Sequence, residues 1–480
     1  MDQRPELGSS PDPAATPRRS RTIFLPTRQN AKAVPHVRQH SKTFALGLFI
    51  IMLVGGLLLA TPWTSASGTR AAPIDAIFTA VSAASVTGLA SVDTKQQWNG
   101  FGQVVMLLLV QTGGLGFMVG AGIVLQMLRR GQTRLRDELM MQDGAPTLSL
   151  REAIQLSRRI VRFTFVVEGI GALILAIWFS QQMPWDRAIW HGVFYAVSAF
   201  CNAGFDLTGN FAGLTPYRSS ITVNIVIMLL IQAGTLSYIV LEDVVKARRW
   251  SRFALDTKLV LLVNAILVVG GAIFFLLAEW NHSLASTAML DRPLSALFQS
   301  VSARGSGYGT VDWTQAQAVT LFVWLGIMFI GGASGSTAGG VKLATAGVIG
   351  ATVISTLKGR EDPSAFGRRI ATTIVFRAIA VVFIMLLVFF AGTLALAVSE
   401  NIIQNSSVPF ESLMFETMSA LGTVGLSAGL TPTLSTAGKI VLCAVMFIGR
   451  LGPLTAVYAL QRRQKRSARY RYPIAPIRIG

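Results

Sequence analysis

The chain has 480 residues, of which 52% are hydrophobic and only 14% charged, with a formal net charge of +19 and a mean hydropathy of +0.53. Soluble domains carry about twice this share of charge, so the composition argues against a soluble protein and for a membrane protein. Two cysteines, Cys201 and Cys443, and four scattered histidines exclude a disulfide framework and a His/Cys metal cluster.

In chain order, residues 1–43 carry Pro5, Pro11, Pro13, Pro17, Pro26 and Pro35 among Ser, Arg and Gln, and read as a disordered basic tail. The apolar run 44–61 has no small-residue cleavage pattern leading to a soluble domain, so it is expected to be a first membrane span and not a signal peptide. Further apolar runs lie near 102–128, 160–180, 220–245, 258–279, 316–355, 372–399 and 437–460, bringing the expected spans to eight. Each is about 20 residues or more, enough to cross a hydrocarbon core of about 30 Å. Most Lys and Arg residues fall in 1–43, 129–162, 246–258, 342–369 and 462–480, which share one side of an eight-span chain. The positive-inside rule then places both termini in the cytoplasm. The basic excess is a topology signal, so no nucleic-acid partner is expected, and anionic membrane lipids are its natural neighbours.

Between the spans a short segment recurs four times. The copies are Phe78-Thr-Ala-Val-Ser-Ala-Ala-Ser-Val-Thr-Gly88-Leu89, Phe194-Tyr-Ala-Val-Ser-Ala-Phe-Cys-Asn-Ala-Gly204-Phe205, Phe298-Gln-Ser-Val-Ser-Ala-Arg-Gly-Ser-Gly307-Tyr308 and Phe415-Glu-Thr-Met-Ser-Ala-Leu-Gly-Thr-Val-Gly425-Leu426. Each has Ser-Ala four and five residues after the Phe, then a Gly before a large apolar residue, and the third is one residue shorter. The first half suits two or three helical turns entering the membrane part way. The second half leaves backbone carbonyls free, which is tolerated at membrane depth only where they line an aqueous path or are buried in protein. Four such sets around one axis can replace the hydration shell of a monovalent cation, with glycine permitting the required backbone. Glycines serving only close helix packing are the plainer alternative, but that does not explain four copies in one frame.

The expected fold is therefore an all-α integral membrane protein of four tandem span, pore-helix, span units around a pseudo-fourfold pore. The units are 44–128, 129–245 with a cytoplasmic loop, 246–356 and 357–461, followed by a cytoplasmic tail at 462–480. The expected ion-lining residues are Val86, Thr87 and Gly88; Asn202, Ala203 and Gly204; Ser306 and Gly307; and Thr423, Val424 and Gly425.

The spans after each segment carry glycine patterns of their own: Gln111-Thr-Gly-Gly-Leu-Gly-Phe117, Gln232-Ala-Gly-Thr-Leu-Ser-Tyr238, Ile330 to Gly340, and Phe447-Ile-Gly-Arg-Leu-Gly-Pro453. The third, containing Gly331, Gly332, Ala333, Ser334, Gly335, Ser336, Thr337, Ala338, Gly339 and Gly340, propagates a helix poorly, each Gly costing about 1 kcal/mol against Ala. A loop inside the membrane is expected, with a kinked helix as the alternative. Arg450 is costly in lipid and should face the pore or pair with carbonyls or an acid. Arg304 is expected to brace the third segment, Arg377 to snorkel, and Glu168 and Glu279 to be structural, hydrogen-bonded acids, with ion coupling as the alternative role.

At these residues the chain resembles the Trk/Ktr/HKT superfamily of potassium transporters, most closely its Ktr-type membrane subunits, over about residues 44–461. Ser85-Val-Thr-Gly-Leu89, Cys201-Asn-Ala-Gly-Phe205, Ser302-Ala-Arg304 with Gly307, and Ala420-Leu-Gly-Thr-Val-Gly-Leu426 look like that family's selectivity filters, and Phe329 to Gly340 like its intramembrane gating loop. The resemblance implies a homodimer in the bacterial plasma membrane, each protomer with its own pore. It also implies a cytoplasmic ring of nucleotide-binding regulatory subunits, so that ATP or ADP acts only through that partner. Arg450 matches an arginine that holds the loop, and Gly88 matches the potassium-selective members. The third filter reads Arg-Gly-Ser-Gly-Tyr-Gly where the family commonly has Arg-Thr-Ala-Gly-Phe-Asn. A sodium-permeable or poorly selective transporter thus stays open beside sodium-assisted potassium uptake.

Two other classes compete. A lipid-modifying membrane enzyme needs clustered catalytic groups, and neither a His/Cys/Asp constellation nor a nucleotide-binding glycine loop occurs, so no catalytic residue is expected. A conventional tetrameric channel is disfavoured because all four filter segments lie in one chain and none reads Thr-Val-Gly-Tyr-Gly.

Overall fold

The computed structural model describes residues 36–132, 150–360 and 362–464. Most of both expected tails lies outside this range. Helix α1, His36–Leu59, nevertheless starts inside the stretch read as disordered, because the helix-compatible residues 36–43 run straight into the apolar segment.

In chain order, α1 is followed by the short helix α2, Pro73–Ser85, the single turn α3, Thr94–Gln97, and the long α4, Gly100–Gln132. Then come α5, Leu150–Phe179, the shorter α6, Trp185–Cys201, and α7, Ile221–Leu236, with α8, Tyr238–Ala247. Next are α9, Leu255–Ala278, the short α10, Arg292–Ser302, and α11, Ala318–Phe329, with α12, Leu343–Leu357. A two-stranded antiparallel hairpin, β1 Ser364–Ala365 with β2 Arg368–Arg369, leads to α13, Thr372–Ala397, a π-helical turn Val398–Ile403, the short α14, Phe410–Gly422, and α15, Thr436–Gln464. The two-residue strands leave the fold mainly helical, as expected, and the hairpin turns at Phe366 and Gly367, which both have positive φ, 51° and 73°, the turn geometry that matches strand twist.

Among the described residues four helical segments are long and apolar enough to cross a membrane, Gly100–Gly120, Ile154–Phe179, Leu255–Ala278 and Thr372–Ile403; α7 with α8, bent by 96°, is a fifth if counted as one. Shorter apolar helices are Ala45–Leu59, Pro73–Ser85, Ala318–Phe329 and Leu343–Leu357. The long helices turn large apolar side chains outward, as Leu262, Ile266, Val269, Ile273 and Leu277 do on α9 at helical spacing. An apolar band of this kind suits hydrocarbon better than water.

The short helices α2, α6, α10 and α14 occupy the centre. Each begins at or beside a proline, Pro73, Pro184, Pro293 or Pro409, whose fixed φ and missing N–H suit a helix start. Phe78, Phe194, Phe298 and Phe415 are all buried, as are most of the Ser and Thr residues that share these helices. Buried acids are tied in. Glu279 accepts from Ser283 N at 3.1 Å, Gln317 N at 3.0 Å and the Thr320 hydroxyl, fastening the end of α9 to the start of α11. At the seam between the first and last quarters, Lys439 on α15 pairs with Asp75 on α2 at 2.7 Å.

Two helices break. Ser237, between α7 and α8, has φ 67° and ψ 150°, a strained conformation for a residue with a side chain. Between α11 and α12 the chain leaves helical geometry as the glycine content predicts. Ile330 and Val341 pair as a parallel bridge, so the two ends of the intervening loop lie side by side.

Candidate functional site: a ring of four glycine segments

Three of the short helices end the same way. Val86, Asn202 and Thr423 adopt left-handed conformations with φ of 58°, 62° and 49°. The two following amides bond back into the helix: Val86 N to Ala83 O at 3.1 Å and Thr87 N to Ser82 O at 2.8 Å, with matching pairs at Asn202, Ala203 and at Thr423, Val424. This Schellman closure normally uses glycine at the left-handed position. A β-branched valine or threonine there carries strain of about 1–3 kcal/mol, which the surrounding core must hold. The third copy lacks that closure. Ala303 stays right-handed, and Gly305 N and Ser306 N both donate to Ser302 O, at 3.2 and 3.1 Å. The one-residue deletion is thereby absorbed as an extra tight turn.

All four copies reach their glycine with positive φ: Gly88 86°, Gly204 73°, Gly307 66° and Gly425 94°. The glycines meet in cyclic order. A Cβ at Gly88 would lie under 3.0 Å from the carbonyl oxygen of Ala203, at Gly204 from that of Ser306, at Gly307 from that of Val424, and at Gly425 from that of Thr87. Each glycine thus abuts the carbonyl that precedes the next glycine, and the fourth returns to the first. The geometry excludes any side chain at these positions and brings the four glycines together with Thr87, Ala203, Ser306 and Val424, while Val86, Asn202 and Thr423 stand at the helix ends just before them.

The repeated serine has a visible task in three copies. Ser198 Oγ donates to Phe205 O at 3.1 Å and Ser302 Oγ to Tyr308 O at 2.7 Å, while Ser419 Oγ accepts from Gly425 N at 3.0 Å. The glycine patterns of the following helices are explained as well. Gly113, Gly234 and Gly449 press against the carbonyls of Ala84, Phe200 and Leu421 at the ends of α2, α6 and α14, where a Cβ would clash. Such close approach needs small residues.

The loop Gly331 to Gly340 packs beneath this ring and is fastened on several sides. Ala333 N and Thr337 N donate to Thr235 O at 2.8 Å and Gly234 O at 3.2 Å, carbonyls at the end of α7, where the chain breaks. Asn202 Nδ2 donates to Thr337 Oγ1 at 2.6 Å, and Gly339 N donates to Thr423 Oγ1 at 3.0 Å. The Ala338 methyl meets Gly305. Arg450, fully buried, donates Nη1 to the Thr337 carbonyl and Nη2 to Gly113 O at 2.8 Å, with its guanidinium 4.5 Å from the Phe117 ring centre. The arginine therefore pairs with carbonyls, one of them in the loop.

Arg304 is also buried, but it donates to Asn264 of α9, so the brace runs from the third segment to an outer helix. Glu168 is buried and accepts from Gln111 Nε2 at 3.1 Å, in keeping with a hydrogen-bonded acid. Lys342 requires a correction. Counted among the cytoplasmic cations, it is buried and donates to Ala338 O at 2.6 Å, holding the loop from its far end. Its position directly after the glycine-rich stretch was the available signal. Lys258, in another of those stretches, is likewise buried, donating to Ser251 O at 3.3 Å.

Four helix C-termini, the negative ends of their dipoles, converge on the ring, a field that favours cations. Outside it lies a cavity of about 460 Å³ lined by the four glycines together with Asp206, Asn210, Asp312 and Ser427. Asp206 lies in the loop after Gly204, outside the helices. Desolvation pushes its pKa up to about 6 despite opposing hydrogen bonds from Thr208, and nearby Asp93 adds to the rise. Among the described residues no group of three or more His, Cys, Asp or Glu is placed to hold a metal ion.

Comparison with known proteins agrees with this geometry. Residues 36–470 match the TrkH family, described as cation transport proteins. The chain is 37% identical to the potassium/sodium uptake protein NtpJ of Enterococcus hirae, over 91% of this chain and 96% of that protein. It is also 37% identical to the Ktr system potassium uptake protein B of Bacillus subtilis, over 92% and 98%. The crystal structure of the potassium transporter TrkH from Vibrio parahaemolyticus superposes with a TM-score of 0.69 at 16% identity, covering 92% of this chain and 87% of that one, which shows a shared fold. The chain belongs to the TrkH family of cation transport proteins and is not an enzyme.

Proposed function

We propose that this protein is the ion-translocating subunit of a Ktr-type potassium uptake system, with eight spans in four units around a pseudo-fourfold pore in a bacterial plasma membrane. The observation that carries the reading is the closed cycle of glycines and carbonyls, Gly88 to Ala203, Gly204 to Ser306, Gly307 to Val424 and Gly425 to Thr87. Backbone carbonyls fixed around one axis replace the hydration shell of a potassium ion without covalent chemistry. Uptake is driven by the membrane potential, about 2.3 kcal/mol per charge per 100 mV. The loop 331–340, held by Arg450, closes the path below the filter, and a cytoplasmic ring of nucleotide-binding subunits, loaded with ATP or ADP, releases it. Both termini face the cytoplasm and two copies form a homodimer. Sodium as an activating or permeant ion is the second reading. It is favoured by the third filter, which alone lacks the left-handed closure.

Rubidium flux into proteoliposomes containing the protein with its regulatory subunits and nucleotide should exceed that of protein-free liposomes. Equal fluxes would sink the reading.

The outer carboxylate gives a pH expectation. Asp206 is charged above about pH 6 and neutral below it, so at low ionic strength the apparent affinity for rubidium should weaken as outside pH falls through 6. Asp206→Asn should remove most of that dependence. A variant with the wild-type pH profile would exclude Asp206 as its source.

A further inference from the structure

The seam between the second and third filter segments carries a strap at the residues directly beyond the glycines, whereas the first and second segments are bonded farther out, Phe211 N donating to Asp93 Oδ2 at 2.8 Å and Lys95 Nζ to Thr208 O at 3.2 Å. Tyr308, one residue beyond Gly307, is 1% exposed, and its hydroxyl donates to the carbonyl of Phe205, one residue beyond Gly204, at 3.0 Å. The same carbonyl receives Ser198 Oγ at 3.1 Å, and the Tyr308 carbonyl is itself held by Ser302 Oγ. Farther out, Leu214 N donates to Gly309 O at 2.8 Å, continuing the seam. The third segment is also closed differently from the others, Ser302 Oγ bonding Ser306 Oγ at 3.0 Å as well as Tyr308 O. It lacks the left-handed closure, and it has Gly305 and Gly309 on either side of Ser306, Gly307 and Tyr308.

We infer that the Tyr308 hydroxyl is a positioning group that sets potassium over sodium discrimination, by locking the third filter, which lacks the left-handed closure, to the carbonyl backbone of the second. The inference rests on the pore reading above. Discrimination by a carbonyl ring depends on the oxygens keeping the spacing and number that suit the larger ion. A segment free to move inward can follow a smaller ion. Three segments resist through their left-handed helix closures; the third is held locally by Ser302 and is tied to its neighbour by the Tyr308 hydroxyl. Tyr308 acts through the carbonyls and touches no ion itself.

The test is the rubidium-to-sodium flux ratio in proteoliposomes with the regulatory subunits and nucleotide, read for wild type, Tyr308→Phe, Ser198→Ala and the double variant. Tyr308→Phe keeps the ring and should lower the ratio about three- to tenfold, chiefly by raising sodium flux. Ser198→Ala, which removes the second donor to the same carbonyl, should lower it less, and the double variant more than either. A hydroxyl serving stability alone would lower the melting temperature and both fluxes together, leaving the ratio unchanged, and that result overturns the inference. So does a Tyr308→Phe chain that no longer assembles while Ser198→Ala keeps the wild-type ratio. Absence of rubidium flux in the wild type defeats the pore reading itself, whereas a selective wild type with an equally selective Tyr308→Phe defeats the strap alone.

Discussion

Gly88→Ser should lower the preference for potassium over sodium by at least about tenfold, or ~1.4 kcal/mol in relative barrier, and should reduce rubidium uptake. The reason is geometric. Gly88 sits at φ 86°, where side chains are strained, and its Cβ would fall on the carbonyl oxygen of Ala203 in the next segment. The serine is accommodated only if that carbonyl moves, and the Ala203 carbonyl belongs to the ring. Because the contacts run in a cycle, the disturbance is not confined to one seam. Flux ratios of rubidium and sodium measured on the variant decide the matter, and a wild-type ratio would remove these glycines from the ion path.

The second large effect concerns the loop. Arg450→Ala removes a guanidinium that bonds both Thr337 O of the loop and Gly113 O of α4. Hydrogen bonds from charged groups contribute about 1.5–3 kcal/mol each. Losing the one to the loop should shift the closed arrangement enough to raise rubidium flux without regulatory subunits between about tenfold and a hundredfold. Deleting residues 331–340 should act in the same direction. The deletion is structurally reasonable because Gly331 N bonds Val341 O at 2.9 Å and Val341 N bonds Phe329 O at 3.0 Å, so the ends to be joined are already neighbours. Partner-free flux unchanged in both variants would show that the loop is no gate.

How much was legible beforehand follows from the kind of interaction involved. The four ring glycines were legible because each must satisfy its own backbone, and a backbone requirement is written at one position in each copy. The loop after α11 was legible for the same reason: many glycines in a short stretch cannot sustain a helix. Arg450 was legible as a buried charge in need of carbonyls, but Thr337 and Gly113 as its acceptors were not, since they lie 113 and 337 residues away in the chain. Lys342 was misplaced by the same limit. Read along the chain it belongs to a basic cytoplasmic stretch, and only the fold turns it back onto the carbonyls of Ala338 and Gly339. The break at Ser237 was not foreseen either. No proline or glycine occupies the position, and the freed carbonyls of Gly234 and Thr235 are stabilised by amides of a loop about 100 residues farther on.

The sequence by itself determined that the chain is a membrane protein, that its basic residues cluster in a few stretches between apolar runs, and that four glycine segments recur in one frame. These are properties of composition, of span length against hydrocarbon thickness, and of local backbone freedom, all expressed within a few residues. Tertiary structure alone decided that the glycines abut one another's carbonyls in a closed cycle, that the loop is stitched to three of the four filter segments, and that Tyr308 crosses to Phe205. Those are contacts between residues distant in the chain, and their energies depend on distances that only the packed helices set.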